Sequence, residues 1–228
     1  MTIQQVIPKI GAIVVGAGRG ERIGTDKMFL PLANKPLLAW SVDIFQDYSS
    51  IKQIIIVLNK NNLNSGQKLV ADRRWAKVAA LCLGGKRRQD SVMEGLKRLE
   101  SCEWVVVHDG ARPFLTHALL DAGLKAAEET GASAAAIPLK DTVKLTDDNR
   151  IVTETLDRSR LWSTQTPQVF RFDIIIKAYK HNNDNVTDDA SLVEKYGGKI
   201  KLFMGSYDNI KITTAEDLIL AQLIAERR

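Results

Sequence analysis

Short continuous apolar runs alternate along this chain with longer stretches of helical spacing. Ile10 to Val15 is the first run and Ile51 to Leu58 (IKQIIIVL) the second, and Val78 to Leu83, Trp104 to His108 and Ser133 to Pro138 repeat the scheme. Each has strand length, and most are rich in β-branched residues. Runs that are continuous rather than alternating predict strands buried on both faces. Helical patterns fall between them, near Pro36 to Phe45, 88–100 and 116–129. Strands separated by helices predict an α/β fold, a Rossmann-like three-layer domain around a mostly parallel central sheet.

Residues 139–157 break the rhythm. The segment LKDTVKLTDDNRIVTETLD alternates like a strand on either side of a polar TDDNR turn, which predicts a β-hairpin. A hairpin protruding from an α/β domain has two exposed edges, and packing against a second subunit is one way to cover them. With no internal repeat or low-complexity tract, residues 1–228 read as a single domain carrying 139–157 as an inserted β-arm.

Composition adjusts this only slightly. Hydrophobic residues make up 45% and charged residues 26%, as in ordinary folded domains. The 32 Lys and Arg against 27 Asp and Glu leave a formal charge of +5. The basic residues are scattered and no run of them is interleaved with aromatics, so a nucleic-acid partner is not expected. A modest positive excess suits an enzyme whose substrates carry several phosphates. The two cysteines, Cys82 and Cys102, lie in apolar stretches and read as buried thiols, not as a disulfide or metal ligands. The N-terminal stretch lacks a signal-peptide pattern, and no segment approaches the ~18 apolar residues of a membrane span. A cytoplasmic protein without a membrane partner is the expectation.

Candidate chemistry begins directly after the first run, in GAGRGERIGTDK at 16–27. The dinucleotide spacing Gly-x-Gly-x-x-Gly fails, because the third position is Glu21 or Ile23, and an NAD-dependent oxidoreductase fails with it. The Walker pattern fails for want of a Gly-Lys pair. What remains is a glycine loop carrying Arg19, Arg22 and Lys27. Glycines let backbone N–H groups approach phosphate oxygens, and cations in the same loop neutralise a polyphosphate.

The order Gly18-x-Gly20-x-Arg22, then Lys27, then FLPLANKPLLAWSV resembles the nucleotide-sugar pyrophosphorylase superfamily. Four further stretches narrow the resemblance: GGKRRQDSV at 84–92, HDGARPF at 108–114, DTVK at 141–144 with LDRSRLWSTQTPQVF at 156–170, and DNIKIT at 208–213. Together they are similar to the 2-C-methyl-D-erythritol 4-phosphate cytidylyltransferase family, from about residue 10 onward. The resemblance implies transfer of CMP from CTP to a sugar-alcohol phosphate with release of pyrophosphate. It implies Mg²⁺ or another divalent cation bound with CTP, with no direct metal ligand assigned. It also implies a homodimer whose β-arm reaches the partner's site. A ribitol 5-phosphate cytidylyltransferase of the same family and a nucleotide-binding regulator without turnover are the alternatives. DTVK and LDRSRLW favour the methylerythritol acceptor, and the set Arg22, Lys27, Asp109 and Lys211 favours turnover.

The resemblance also assigns residues. Arg22, Lys27 and Lys211 are implied as catalytic cations at the α-phosphate. Ala17, Gly18 and Gly20 in the loop, Gly84, Gly85, Lys86 and Ser91 in a cytosine-reading turn, and Gly110 beside the ribose are implied as CTP contacts. Asp109, Arg112, Thr142, Arg158 and Thr166 are implied on the acceptor side, with Thr142 coming from the other subunit's arm. Two positions depart from the family pattern. Lys86 stands where an acidic residue is usual, and Gly16 adds a glycine before the loop, which is expected to loosen it. Asp90 and Ser91 also read as helix-capping residues. His108 reads equally well as a structural histidine and is left out of the catalytic set.

Overall fold

The computed structural model describes residues 9–18, 27–181 and 185–228. Its core is a seven-stranded sheet built from β1 (Ile10–Gly16), β4 (Ile51–Leu58), β5 (Val78–Leu83), β6 (Trp104–Asp109), β7 (Ala132–Pro138), β10 (Trp162–Arg171) and β11 (Lys201–Met204). Two short ribbons stand apart, β2 (Pro31–Leu32) with β3 (Lys35–Pro36) and β8 (Lys144–Thr146) with β9 (Val152–Thr155). The strand order is β11-β7-β10-β6-β1-β4-β5, and only β10 runs antiparallel to its neighbours.

The continuous apolar runs have their reason in the layers. Along β4, Ile54 and Ile56 pack on one face with α1 (Leu37–Asp47), α4 (His117–Thr130) and α7 (Ala215–Ala225). Ile55 and Val57 pack on the other with α3 (Arg88–Leu96), α5 (Phe172–His181) and α6 (Asp189–Lys195). All four side chains are fully buried. Each such burial is worth about 1.5–3 kcal/mol, so a polar residue on either face would be costly. Helix α2 (Leu63–Arg73) lies beside β5 and presents few apolar residues, which is why no periodic pattern announced it.

Local signals fix the ends of several helices. The Thr116 hydroxyl accepts from the Leu119 N–H at the start of α4, and Gly131 ends that helix at φ 82°, where a side chain is disfavoured. Asp90 occupies the third position of α3, not its cap, and its carboxylate accepts from the Arg87 N–H. The stretch TQTPQ lies within strand β10, whose pairing with β7 slips between Thr164 and Gln168. That irregularity accommodates Pro167, which has no N–H to offer an interior strand.

Two expectations need correction. Cys82 is buried, but Cys102 is only half-buried. Gly16 belongs to the strand and not to the loop: it closes β1, paired to Leu58, and a Cβ there would come within 3.0 Å of Leu58 and Met28. Lys211 lies in a connection ahead of α7.

The hairpin is present, and its legs pair beyond the two short strands: the Leu156 N–H donates to Val143 and the Leu139 N–H to Leu161. It continues the β7–β10 pair outward, and Leu145, Ile151 and Val152 on it are exposed. Among the described residues, no helix is long and apolar enough to cross a membrane.

Candidate active site

Strand order reverses at β1. The chain passes from β1 to β4 and β5, then returns to β6 on the other side of β1. Such a reversal opens a crevice beyond the carboxyl ends of the strands. Val15 and Asp109 are register partners there, so the glycine loop and the HDGARP stretch leave the sheet side by side. Two cavities occupy the crevice, one of about 470 Å³ and one of about 270 Å³. Arg88, Asp109 and Lys211 line both of them.

The larger lobe is walled by Ala17, Gly18, Lys27, Gly85, Lys86 and Ser91. The turn that carries Gly85 is locked to the loop, because a Cβ on Gly84 would fall 2.4 Å from that of Ala17. The Gly84 N–H donates to the Leu58 carbonyl, and the Gly85 N–H to the buried Ser91 hydroxyl at 3.1 Å. That hydroxyl in turn donates to the Arg87 carbonyl. Ser91 therefore shapes the turn as well as walling the lobe, and Gly84, unlike Gly85, lines neither lobe. The Gly110 N–H extends the sheet by donating to Val15.

The smaller lobe is walled by Arg112, Thr164, Thr166, Gln168 and Thr187, among others. The Thr166 hydroxyl accepts from the Asp109 N–H at 3.0 Å. It also meets His108 Nδ1 at 3.1 Å, while His108 Nε2 lies 2.9 Å from the Arg112 carbonyl. A carbonyl only accepts, so Nε2 carries the proton and Nδ1 accepts from Thr166. Burial pushes the His108 pKa down to about 4, so the ring is neutral at ordinary pH. His108 is a bracket that orients its neighbours.

Asp109 sits where the lobes meet. Its carboxylate takes Lys211 Nζ at 2.7 Å and Arg88 Nε at 3.0 Å, with Arg112 Nε at 3.9 Å. Burial works to raise its pKa, but Arg88 and Lys211 outweigh burial and hold the carboxyl well below the usual range. Lys27 reaches the same place from the opposite side, donating to the Ile212 carbonyl at 3.0 Å. Ile212 is a fully buried plug whose N–H donates to the Ala111 carbonyl and whose own carbonyl accepts from Lys27, so the residue after Lys211 is tethered on both sides of its α-carbon. Asn209 completes the tether, with its amide on the Thr166 carbonyl at 2.8 Å and its own carbonyl on Arg112.

Among the described residues, the crevice thus gathers Ala17, Gly18, Lys27, Gly85, Lys86, Ser91, Asp109, Arg112, Thr166 and Lys211. Gly20 and Arg22 lie outside the described residues. Thr142 and Arg158 line neither lobe: both sit at the foot of the hairpin, where the Arg158 guanidinium donates to the Lys140 carbonyl. The sequence reading missed Arg88, because GGKRRQDSV was read for its backbone and its hydroxyl. No spacing rule marks which of two adjacent arginines turns inward.

No group of three metal-ligating side chains occurs among the described residues. Among the described residues Asp109 is the carboxylate that lines both lobes, and it already holds two cations. The junction is nonetheless rich in cations, with Lys27, Arg88, Arg112 and Lys211 near Asp109, while Asp188 lines the smaller lobe alone.

Comparison with known proteins agrees with this geometry. The family model for 2-C-methyl-D-erythritol 4-phosphate cytidylyltransferase matches residues 10–227. A protein of that name from Dehalococcoides mccartyi strain 195 is 47% identical over 96% of this chain and 97% of its own length. Another from Alkaliphilus oremlandii is 41% identical over 97% of each chain. The crystal structure of 4-diphosphocytidyl-2C-methyl-D-erythritol synthase from Anaerococcus prevotii superposes with a TM-score of 0.86, at 32% identity and 97% coverage of both chains. With the family model, these relatives and the superposed structure all covering nearly its whole length, this chain belongs to the 2-C-methyl-D-erythritol 4-phosphate cytidylyltransferase family.

Proposed function

We propose that the two-lobed crevice is where this CTP-dependent cytidylyltransferase passes CMP from CTP to 2-C-methyl-D-erythritol 4-phosphate. The observation that carries the reading is that both lobes share Arg88, Asp109 and Lys211. A reaction joining two substrates needs one wall common to both.

The larger lobe takes CTP. Gly18 and the glycine loop hold the triphosphate, and the 84–86 turn reads the base. The N–H of Gly84 is taken by the Leu58 carbonyl of β4 and that of Gly85 by the Ser91 hydroxyl, so the base falls to carbonyl oxygens, which accept from the cytosine amino group and repel the uracil O4. The smaller lobe, with Arg112 and Thr166, takes the acceptor. Its phosphate oxygen attacks the α-phosphorus at the junction, in line with the departing pyrophosphate. Lys27 and Lys211 neutralise the charge that builds on the α-phosphate oxygens, and Arg22 joins them from the loop. Asp109 holds Lys211 in place and is not the proton acceptor, because the attacking phosphate is already an anion. A divalent cation such as Mg²⁺, bound with CTP, would supply charge neutralisation at the leaving pyrophosphate, and no side chain among the described residues is assigned to hold it.

The hairpin completes the site in trans. Thr142 and Arg158 lie away from their own crevice, and exposed Leu145, Ile151 and Val152 offer an apolar surface to a second copy. A homodimer exchanging arms brings both residues to the partner's acceptor lobe. With charged substrates and products throughout, the reading is of a cytoplasmic enzyme.

The test is pyrophosphate release with each nucleoside triphosphate and with two acceptors. CTP should turn over fastest, UTP next and the purines least, and 2-C-methyl-D-erythritol 4-phosphate should exceed ribitol 5-phosphate. Equal turnover with UTP would remove the base-reading role of the turn, and preference for ribitol 5-phosphate would reassign the acceptor.

A further inference from the structure

Behind the junction lies a chain of charged and polar groups, of which the two deepest line neither lobe. Asp189, at the start of α6, is fully buried. Its carboxylate takes Arg88 Nη1 at 2.7 Å on one oxygen and the Tyr179 hydroxyl at 2.5 Å on the other. Tyr179, on α5, is itself buried, and neither it nor Asp189 lines either lobe. Arg88 reaches from Asp189 to Asp109, so the contacts run unbroken from Tyr179 in the core to Lys211 in the crevice. Arg88 Nη2 is buried and has no hydrogen-bond partner among the described residues.

Buried ion pairs are weak contributors to stability, and apolar residues of similar volume commonly serve as well or better. Five polar groups in a row from core to crevice therefore call for another reason. We propose that Asp189 and Tyr179 are positioning residues for the transfer: through Arg88 they fix the Asp109 carboxylate, and through it the ammonium group of Lys211.

The logic is one of competing anions. Two polyanionic substrates meet at the junction, and any mobile cation there is drawn onto their phosphates. Arg88 is held between two carboxylates, and although burial works against its charge, Asp189 and Asp109 keep it protonated. Its guanidinium spans them through Nη1 and Nε, a fork that lysine cannot reproduce. Anchored on Asp189, Arg88 stays behind the carboxylate of Asp109 and leaves Lys211 to face the phosphorus. Tyr179 satisfies the second Asp189 oxygen and stops that carboxylate from rotating. Without the anchor, Arg88 follows the incoming phosphates and Asp109 turns, displacing Lys211 by a fraction of its reach.

The inference rests on the roles assigned above, so Lys211→Ala is measured beside the other variants. The experiment takes the full-length enzyme with CTP and 2-C-methyl-D-erythritol 4-phosphate. It records kcat, both KM values and Tm for Asp189→Asn, Tyr179→Phe, Arg88→Lys and the double variants with Arg88→Lys. Misplacement of this kind lowers kcat about 10- to 100-fold for Asp189→Asn and less for Tyr179→Phe, with KM for CTP nearly unchanged. Because Asp189 acts through Arg88, Arg88→Lys with Asp189→Asn should be no slower than Arg88→Lys alone. A lowered Tm with full kcat, or losses that multiply in the double variant, overturns the proposal. Should Asp189→Asn fail to fold, Tyr179→Phe with Arg88→Lys closes the same cycle. Full kcat in Lys211→Ala sinks the junction and this inference together; lost kcat there with full kcat in Asp189→Asn and Tyr179→Phe sinks this inference alone.

Discussion

Lys27→Ala and Lys211→Ala should each lower kcat about 10²–10³-fold, with the KM for CTP changed far less. The two ammonium groups approach one spot from opposite walls, and the Lys27 ammonium bonds to the carbonyl of the residue that follows Lys211. Neither is free to wander, since Ile212 is plugged into the core and Asp109 holds Lys211 at 2.7 Å. A cation fixed before the substrates arrive gains most as charge develops on the phosphorus, and such an interaction appears in kcat. The same outcome is expected for Arg22→Ala, whose place lies outside the described residues. Near-normal kcat with a raised KM would mean that these residues bind CTP only in its ground state. Steady-state kinetics with both substrates varied decides between the two.

The second large effect belongs to the arm. An enzyme carrying Thr142→Ala and Arg158→Ala should be nearly inactive alone, as should Lys27→Ala, yet the two mixed under conditions of subunit exchange should regain activity. Both arm residues sit at the hairpin's foot, and the Arg158 bond to the Lys140 carbonyl makes them travel together. If Thr142 crosses to the partner, Arg158 crosses with it. Each heterodimer then holds one site with all the defects and one with none. Full subunit exchange yields about half of the dimers as heterodimers, so activity should return to about a quarter of wild type. No recovery would place both residues in their own chain's site, and a fully active monomer would remove the arm from the mechanism.

Much of this architecture was legible because both faces of the sheet are covered. Ile54 to Val57 had to be apolar at every position, and such a run stands out. The hairpin was legible for the opposite reason, since its alternation and polar turn break the βα rhythm. Strand β10 was not. It carries Thr164, Gln165, Thr166 and Gln168 because one end of it lines a cavity, and a strand that serves a site loses the apolar pattern of a strand that only packs. Helices α5 and α6 and strand β11 went unread too, short elements with mixed faces.

The site divided in the same way. Lys27, Asp109 and Lys211 could be named through motif order alone, while the tether that positions them depends on contacts 185 residues apart, as between Lys27 and Ile212. Arg88 and Asp189 lie 101 residues apart, and neither carries a local signal that it would meet the other. Ser91 was assigned to the base from its hydroxyl. In the folded chain that hydroxyl closes the turn, so its contribution to the base comes through the backbone it holds.

The central claim is that the junction shared by the two lobes is the place of transfer. A crystal structure of the enzyme with CTP and a divalent cation tests it most directly. The account predicts the cytosine against the 84–86 turn and the α-phosphate at the junction, within hydrogen-bonding reach of both Lys27 and Lys211, with the smaller lobe still open beside it. An α-phosphate lodged away from Lys211, or a triphosphate filling the lobe walled by Gln168 and Thr187, would contradict it.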